Sequence, residues 1–264
     1  MGHIFDFHEA VAYEKWIKKP ENELVFQMEI QLLRDMLQPR PGESILDIGC
    51  GIGACLLAFL EMGLKVTGID PSTYMLDIAL KKVGNRVDLY RGVAEDLPFD
   101  DNSFNHACLF TTLEFVEDAK KALSEACRVA KDRLFIGVLN RYAIKGVERR
   151  VRGMFTPSIY NHARFFSVWG LKYLIYDLVG HVPIFWRTVC QLPLPSGKFA
   201  HSFEQPFLQR CPFGAFAGMV VILIPRFRTR PLTARYQPSH TPREVPGMTA
   251  ASKIGADDHG SALI

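Results

Sequence analysis

Three glycines at alternating positions are the residues of this chain whose type and spacing are best suited to chemistry. They are Gly49, Gly51 and Gly53. The apolar run at 45–48 precedes them, and its one charged residue is Asp47. Glycine has no Cβ and adopts backbone conformations that are costly for other residues, so such a loop lets a ligand approach the main chain closely. The apolar stretch at 54–62 predicts a helix whose first N–H groups face the same loop. The segment therefore predicts a strand, a ligand-binding turn and the start of a helix.

The loop by itself is compatible with a dinucleotide. Gly49, Gly51 and Ala54 satisfy the G-x-G-x-x-G/A pattern of dinucleotide-binding folds. Asp70 follows at the position from which an acid binds the hydroxyl groups of a ribose. An NAD(P)-binding oxidoreductase is therefore one alternative, although a Tyr-x-x-x-Lys proton relay is missing near the fifth predicted strand.

Two further acids favour S-adenosylmethionine (SAM) over a dinucleotide. Asp47 lies two residues before the first glycine, where a carboxylate suits the cationic amino-acid end of SAM and would repel a pyrophosphate. Asp96 follows the third predicted strand, where it can accept a hydrogen bond from an adenine amino group while Leu97 packs against the ring. Each site residue also has a structural alternative, as a simple turn, a helix cap or a loop acid. The prediction therefore depends on their combined spacing.

Apolar runs alternate with amphipathic segments through most of the chain, and this alternation predicts the elements that position the site residues. Predicted strands lie at 44–48, 65–69, 87–91, 104–110, 133–139 and 217–224, and predicted helices lie at 54–62, 72–83, 118–130 and 168–179. Continuous apolar strands between helices are typical of an α/β fold with a doubly wound, mostly parallel sheet and helices on both faces. Ligands bind at the carboxyl ends of such strands, where the glycine loop and the acids fall.

Charge and cysteine content exclude some classes of function. The formal net charge of +3 is too small to indicate a nucleic-acid partner by itself. None of the six cysteines forms a C-x-x-C pair, so we expect reduced thiols in a cytoplasmic protein and no metal site. The N-terminus lacks the apolar core of a signal peptide, and the longest uncharged stretch, at 212–225, is too short to span a bilayer as a helix.

Five short motifs together resemble the class I SAM-dependent methyltransferases and, within them, the methyltransferase type 11 family. The motifs lie at 46–53, 68–76, 94–104, 111–118 and 122–129. The resemblance covers about residues 10–140. It implies a Rossmann-like fold with an antiparallel last strand, SAM as the cofactor and S-adenosylhomocysteine (SAH) as the product.

The resemblance also assigns residues around the cofactor. It implies that the glycine loop holds the amino-acid part of SAM, that Asp70 binds the ribose, and that Asp96 with Leu97 bounds the adenine. Tyr13 and Trp16 would lie near the sulfonium, where a ring face attracts a cation, or would simply pack the N-terminal helix on the core. The implied cofactor residues are Asp47, Gly49, Cys50, Gly51, Gly53, Asp70, Pro71, Met75, Glu95, Asp96, Leu97, Thr111, Thr112, Tyr13 and Trp16.

Methyl transfer from a sulfonium is an in-line displacement with a good, neutral leaving group. The main tasks of the protein are therefore to align the acceptor with the methyl group and to exclude water. A general base is needed only if the acceptor must lose a proton. The candidate bases are Glu114, Tyr160 and His162, and for His162 a purely structural role is the alternative.

The motifs and the composition divide the chain into three regions. Residues 1–40 predict an amphipathic N-terminal helical lid, 41–228 the methyltransferase domain, and 229–264 a disordered tail. Within the domain, 140–212 predict an acceptor-side insertion rich in arginine and aromatic residues. We interpret this insertion in three ways: an ordinary aromatic core under a basic helix, a pocket for a hydrophobic or anionic acceptor, or a face that contacts anionic lipid headgroups.

These features predict transfer of a methyl group from SAM to a small-molecule or lipid-like acceptor, mainly by proximity and orientation. We expect a cytoplasmic protein whose membrane contact, if any, is peripheral. A nucleic-acid acceptor is disfavoured because no nucleic-acid module accompanies the basic residues. Besides the oxidoreductase, a non-catalytic SAM-binding regulatory protein is an alternative.

Overall fold

The computed structural model describes residues 2–143, 163–189 and 208–223. The helices are α1 (Phe7–Ile17), α2 (Pro20–Leu37), α3 (Ala54–Glu61), α4 (Thr73–Val83), α5 (Ala119–Val129) and α6 (Val168–Val179). The strands are β1 (Ser44–Ile48), β2 (Lys65–Asp70), β3 (Asp88–Arg91), β4 (Phe104–Phe110), β5 (Ala130–Leu139), β6 (Ile184–Val189) and β7 (Phe216–Ile222). Short 3₁₀ turns lie at Gly84–Arg86 and Leu208–Arg210.

The strands form one seven-stranded sheet in the order β3-β2-β1-β4-β5-β7-β6. Strands β1 to β5 are parallel to one another, and β7 runs antiparallel to both β5 and β6. The strand order reverses direction at β1, next to β4, which is the place where doubly wound sheets bind ligands. The predicted doubly wound, mostly parallel α/β fold with an antiparallel last strand is confirmed.

Apolar layers cover both faces of the sheet. Along β4, Ala107 and Leu109 belong to the layer under α5 and α6, whereas Cys108 and Phe110 belong to the layer under α2 and α3. Successive side chains of a strand point to opposite faces, so a strand covered on both sides needs apolar residues at every position. This burial explains why the strands are continuous apolar runs in the sequence.

The N-terminal region forms two helices rather than a single lid element. At the start of α1, the Asp6 side chain accepts a hydrogen bond from Glu9 N at 2.8 Å, and the Glu9 side chain accepts one from Asp6 N at 3.0 Å. This reciprocal cap stabilises the first turn. Helix α2 begins at Pro20 and buries Leu32 and Leu33 in the core layer on the sheet. The second half of the predicted lid is therefore built into the core.

The sequence prediction missed strand β6. This strand lies inside the region predicted as an irregular acceptor-side insertion, between Pro183 and residues outside the described ranges. Its exposure pattern is that of an edge strand, with Phe185 exposed and Thr188 buried. A short, partly exposed strand next to a proline carries little hydrophobic periodicity, so only its pairing with β7 identifies it.

Some predictions concern residues outside the described ranges. These are the disordered tail at 229–264 and the two candidate bases Tyr160 and His162. Within the ranges that are described, none of the helices has the length and apolar character needed to cross a membrane.

Candidate active site

A cavity of about 740 Å³ opens at the carboxyl ends of β1, β2 and β4. Its walls come from the glycine loop, from the turns after β2, β3 and β4, and from helices α1 and α2. All of the implied cofactor residues line it except Gly53 and Leu97. The fold therefore brings together, around one cavity, residues spread from Tyr13 to Thr112 in the sequence.

The glycine loop is fixed by hydrogen bonds to strand β2. The N–H groups of Gly49 and Cys50 both donate to Ile69 O, at 2.8 and 3.0 Å. Gly49 and Gly51 have φ values of +73° and +51°, in the left-handed region that glycine adopts without strain. A Cβ on Gly49 would lie 2.6 Å from Thr112 Oγ1 and closer still to the Thr112 methyl group, whereas a Cβ on Gly51 would meet no atom within 4 Å. The loop is therefore packed tightly at Gly49 and leaves space at Gly51.

Asp70 is positioned by two backbone donors. Its Oδ1 accepts a hydrogen bond from Ser72 N and its Oδ2 accepts one from Gly51 N, each at 2.9 Å. Burial raises the pKa of Asp70, and the two hydrogen bonds oppose this shift. A carboxylate has about four lone-pair sites. Asp70 can therefore accept further hydrogen bonds from the two hydroxyl groups of a ribose at the cavity wall.

Asp47 is a buried carboxylate without a hydrogen-bond donor among the described residues. It is 1% exposed, and neither of its oxygens has a partner. Burial, and then the charge of Asp70, raise the pKa of Asp47 to about 8. A buried carboxylate without a donor or cation is energetically unfavourable. Because Asp47 lines the cavity, a cationic or hydrogen-bond-donating group bound there would remove this penalty.

The acids after β3 have different surroundings. Glu95 Oε1 accepts hydrogen bonds from Glu117 N at 2.8 Å and Asp118 N at 3.3 Å, so it ties the turn after β3 to the start of α5. Asp96 is exposed and lines the cavity, as expected of an adenine-binding acid. The predicted adenine contact of Leu97 is not seen at the cavity wall, because its side chain is 1% exposed in the core layer under α5 and α6.

Gly53 also lies away from the cavity wall. It is the N-cap of α3, with φ +77°, and a Cβ there would lie 3.1 Å from the Ala79 Cβ. Its glycine is needed for the close approach of α3 to α4. The structure thus shows a packing function for Gly53, whose predicted contact with the cofactor stays a prediction.

The turn after β4 is held rigidly against the glycine loop. Thr111 has φ +51°, a costly conformation for a β-branched residue. Its N–H donates to Gly137 O at 2.8 Å, which holds this conformation in place. The Thr112 hydroxyl donates to Ile48 O at 2.8 Å. Both threonines line the cavity between the glycine loop and the end of β5.

An N-terminal strap, residues 2–6, covers part of the cavity and was not singled out from the sequence. His3 N donates to Phe115 O at 2.8 Å, and the Ser72 hydroxyl donates to Phe5 O at 2.7 Å. The Phe5 ring lies 5.1 Å from the Phe115 ring. Extended residues ahead of a helix carry no periodic signal, so only these cross-chain contacts reveal the strap.

The predicted aromatic pair of the lid lies at the cavity. Tyr13 and Trp16 both line it, and their rings are stacked with centroids 5.8 Å apart. Tyr13 also packs against the small cluster of Ala10, Ile52 and Met75. The pair therefore combines the two interpretations from the sequence: it packs α1 on the domain and presents aromatic surface to the ligand space.

One face of α2 forms a second part of the cavity wall that the sequence analysis missed. Its residues follow helical spacing: they are Asn22, Val25, Phe26 and Glu29. Phe26 packs edge-on against Phe110 at 5.9 Å, and Leu139 lines the same cavity. The charge of Glu29 contributes to the raised pKa of Cys55, which places this carboxylate near the start of α3. This compartment is apolar with one carboxylate.

Glu114 lies behind the cavity wall rather than in it. It is 1% exposed, and burial raises its pKa to about 8. Its Oε1 accepts a hydrogen bond from Leu139 N at 2.6 Å, and the other oxygen is buried without a partner among the described residues. Glu114 is absent from the cavity lining, whereas Leu139 belongs to it. In this geometry Glu114 supports the end of β5.

Comparisons with known proteins agree with this site. A family model described as a methyltransferase domain matches residues 46–135. An uncharacterized protein of Methanocaldococcus jannaschii is 37% identical over 145 residues, which are 54% of this chain and 64% of that protein. A demethylmenaquinone methyltransferase of Renibacterium salmoninarum is 37% identical over 105 residues, which are 38% of this chain and 42% of that protein.

A solved structure shares the fold across most of the chain. It is a SAM-dependent methyltransferase from Thermotoga maritima, described as a possible histamine N-methyltransferase, with 26% sequence identity and a TM-score of 0.62. The similarity covers 82% of this chain and 96% of that one. By contrast, this chain spans less than two thirds of the length of the two curated relatives.

The matched segment contains most of the residues predicted to bind the cofactor. It runs from β1 into β5 and includes the glycine loop, Asp70, Asp96 and the turn at Thr111 and Thr112. Residues 46–135 therefore form a methyltransferase domain, and the fold around them is shared with a SAM-dependent methyltransferase, which supports SAM as the cofactor.

Proposed function

We propose that this protein transfers a methyl group from SAM to a small-molecule or lipid-like acceptor by in-line displacement. The observation that carries the proposal is Asp47, a buried carboxylate without a hydrogen-bond donor among the described residues at the wall of the cavity. A cationic amino-acid end is the kind of ligand that this carboxylate stabilises. A pyrophosphate at the same loop would face uncompensated repulsion, which argues against NAD(P).

The residues present fit SAM. Asp47 would hold its ammonium group, directly or through water, and Asp70 would accept from its ribose hydroxyls. The open space at Gly51 lets a ligand approach the backbone. When bound, SAM supplies a methyl group that is activated by its sulfonium charge. The stacked Tyr13 and Trp16 rings would stabilise that charge through cation–π attraction.

The protein's contribution to the reaction is alignment and exclusion of water. The strap over Phe115 and the two N-terminal helices cover the cavity, which keeps the reacting groups away from solvent. The rigid turn at Thr111 and Thr112 forms a fixed wall beside the glycine loop. A bound acceptor therefore has few orientations, and this restriction is the main source of rate acceleration that we propose.

The compartment beside α2 is the proposed acceptor site. Val25, Phe26, Phe110 and Leu139 give it apolar walls, and Glu29 can pair with a hydrogen-bond donor or a cation. Such walls suit an apolar acceptor that carries one polar nucleophile. The name of the R. salmoninarum relative, a demethylmenaquinone methyltransferase, supports the lipid-like choice.

The location that we propose is the cytoplasm, with peripheral contact to a membrane. The supporting observation is that Cys50, Cys55 and Cys108 are free and buried, as expected in a reducing compartment. Burial raises the pKa of each of these thiols, so they remain protonated and inert.

Binding and transfer can be tested separately. Calorimetry with SAM, SAH and NADH should show binding of the first two and none of NADH. A labelled-methyl assay against lipid extracts and small-molecule fractions, read by mass spectrometry, should then identify a labelled product. NADH binding without SAM binding would support the oxidoreductase instead. SAM binding without any labelled product would support the regulatory alternative.

Replacing Asp70 by alanine should weaken SAH binding by well over tenfold. The variant loses charge-assisted hydrogen bonds to the ribose, which are worth about 1.5–3 kcal/mol, and it releases the Gly51 N–H that positions the loop. Calorimetry with SAH measures the change. Asp77→Ala is the matched control, because Asp77 is an exposed acid of the nearby helix α4 and does not line the cavity. Equal affinities in the two variants would place the ribose elsewhere.

Replacing Glu29 by glutamine should slow methyl transfer by about tenfold or more without changing SAH affinity. The amide keeps the shape of the side chain but loses the charge that pairs with the acceptor. The measurement is the transfer rate with the acceptor found in the labelling assay. Glu23→Gln on the same helix is the control, since Glu23 is exposed and is absent from the cavity lining. A loss of SAH affinity in Glu29→Gln would instead assign Glu29 to the cofactor.

A further inference from the structure

Helix α6 presents large aromatic side chains to solvent. Trp169 is 55% exposed and Tyr173 is 73% exposed. The opposite face of the helix is buried in the core, where Leu171 and Ile175 are 0% exposed. Since the fold buries only that opposite face, packing within the described domain does not account for the exposed aromatic residues.

Three exposed rings and two half-buried side chains form one surface, which we call the aromatic face. Its members are Tyr142, Trp169, Lys172, Tyr173 and Tyr176. The four helical members lie at i, i+3, i+4 and i+7 from Trp169, the spacing that places side chains on one side of a helix. Tyr142, which follows β5, extends the surface through an edge-on contact with Trp169 at 5.9 Å between ring centroids.

The charge around the aromatic face is positive. Lys172 Nζ lies 5.4 Å from the Tyr176 ring centroid, and Arg141 is exposed beside Tyr142. The acid of the same helix, Asp177, is paired with Lys120 at 2.6 Å, so its charge is compensated. Together these charges are complementary to an anionic surface.

The aromatic face is connected to two elements that contribute residues to the cavity wall. Tyr142 lies three residues after Leu139, which lines the cavity. At the other end of the face, the Lys120–Asp177 ion pair joins α6 to the first turn of α5, where Asp118 and Lys121 line the cavity. A surface that docks on the aromatic face therefore lies beside the segments at both ends of α6 that contact the cavity-lining elements.

We propose that the aromatic face docks this protein on an anionic lipid bilayer. Tryptophan and tyrosine have an apolar ring and a polar tip, which suits the boundary between headgroups and acyl chains. Lysine and arginine beside them attract anionic headgroups. The proposal builds on the proposed function, because docking there would bring a lipid-like acceptor from the bilayer to the cavity rim.

Vesicle sedimentation of the full chain tests the docking. We expect the protein to sediment with vesicles of phosphatidylcholine and phosphatidylserine at low salt, and about tenfold less with phosphatidylcholine alone. The double variant Trp169→Ser and Tyr173→Ser should lose about tenfold in binding, because two interfacial rings are removed. Lys172→Gln should weaken binding and reduce its salt dependence.

Phe185→Ser is the matched control. Phe185 is also a large exposed aromatic residue, 62% exposed, but it lies on the edge strand β6 rather than on α6. This variant should bind vesicles as the wild type does. The proposal is overturned if the wild type binds vesicles that contain phosphatidylserine no better than vesicles of phosphatidylcholine alone. It is also overturned if Phe185→Ser loses as much binding as the double variant. A wild-type oligomer that dissociates in the double variant, without vesicle binding, would show that the face contacts a second copy instead.

SAH calorimetry on the same variants separates this proposal from the proposed function. The double variant should bind SAH as the wild type does, which also shows that it is folded. If the wild type binds SAH but no vesicle, the docking fails and the cofactor assignment stands. If it binds anionic vesicles but neither SAH nor SAM, the docking stands and the proposed function fails.

Discussion

Asp47→Asn is expected to make the ligand-free protein more stable while removing most of its affinity for SAM. The Asp47 carboxyl group is buried without a hydrogen-bond donor among the described residues, and its pKa is raised to about 8. The native state without ligand therefore contains a group whose ionised form is unfavourable. The amide removes the charge and keeps the shape, but it cannot pair with the cationic end of SAM.

The pH dependence of stability follows from the direction in which the pKa of Asp47 is shifted. The pKa of Asp47 is raised in the folded state from an ordinary value of 3.8 to about 8, so between these values the folded state binds more protons than the unfolded state. Its contribution to the free energy of unfolding is therefore fully retained below the ordinary value and falls by about 1.4 kcal/mol per pH unit as the pH rises towards 8. At neutral pH the free energy of unfolding has lost about 4 kcal/mol in this way.

The net gain in stability is smaller, because the new amide is also buried without a partner. That costs about 1–3 kcal/mol. We therefore expect Asp47→Asn to raise the free energy of unfolding by about 1–3 kcal/mol at neutral pH, measured by urea denaturation without ligand. The gain should shrink as the pH falls and turn into a loss towards pH 4, where the wild-type carboxyl is neutral and the amide still lacks a partner.

Ligand binding should depend on pH in the opposite direction. A cationic ligand favours ionised Asp47, so SAM binding below the raised pKa should release a proton. The affinity for SAM should then rise with pH by up to about tenfold per unit until about pH 8. Calorimetry in buffers with different ionisation enthalpies measures the released proton. In Asp47→Asn the affinity should be more than about tenfold lower near pH 8 and nearly independent of pH.

Glu114→Gln is the matched control for Asp47→Asn. Burial also raises the pKa of Glu114 to about 8, but this residue does not line the cavity. Its substitution should change the pH dependence of stability in the same direction and leave SAM affinity unchanged. Retained SAM affinity in Asp47→Asn, or an equal loss in Glu114→Gln, would contradict the place that we give to Asp47.

Gly49→Ala is expected to destabilise the fold by about 2–4 kcal/mol and to abolish measurable SAH binding. A Cβ at this position would clash with the Thr112 side chain, and φ at Gly49 is +73°. Thr112 cannot easily rotate away, because its hydroxyl donates to Ile48 O and its neighbour Thr111 is already in a left-handed conformation. The loop or the turn after β4 must therefore move.

Gly51→Ala distinguishes the cost of backbone strain from the cost of the steric clash with Thr112. Gly51 also has a positive φ, +51°, but a Cβ there would point into open space. This variant should cost only about 1 kcal/mol, the usual penalty for alanine in a left-handed conformation. Urea denaturation of both variants gives the comparison. Similar losses in the two would show that backbone strain alone matters and that the contact with Thr112 does not.

A double variant identifies the clash directly. Thr112→Ser removes the methyl group that lies nearest to the added Cβ and keeps the hydroxyl bonded to Ile48. Gly49→Ala combined with Thr112→Ser should therefore recover part of the stability, a positive coupling between two residues in contact. Simple addition of the two single losses would contradict the proposed packing.

Much of this fold could be predicted from the sequence because its strands are buried on both faces. β4 carries apolar residues on both sides, so it is a recognisable run even without its neighbours. The edge strand β6 lacked that signal. Its first four residues are partly or fully exposed and only its last two are buried, so its place is set by pairing with β7, which is distant in the sequence.

The candidate site, too, contains some residues that the sequence predicts and others that only distant contacts identify. Asp47, Gly49 and Asp70 were identified because a strand end, a glycine turn and an acid have fixed local spacing. Glu29 and Phe26 were missed because they belong to an amphipathic helix whose residues have no motif of their own. Leu97 and Glu114 were placed at the site by their sequence neighbourhood, whereas the structure buries both away from the cavity.

By itself, the sequence determined the doubly wound sheet, the glycine loop and the acids beside it, since these depend on local spacing and on burial of continuous apolar runs. The tertiary structure alone decided which side chains share the cavity and which remain in the core. It also decided that α2 supplies the wall of the acceptor compartment and that one face of α6 stays exposed. The physical reason is that these properties arise from packing between residues far apart in the chain, and no short pattern records that packing.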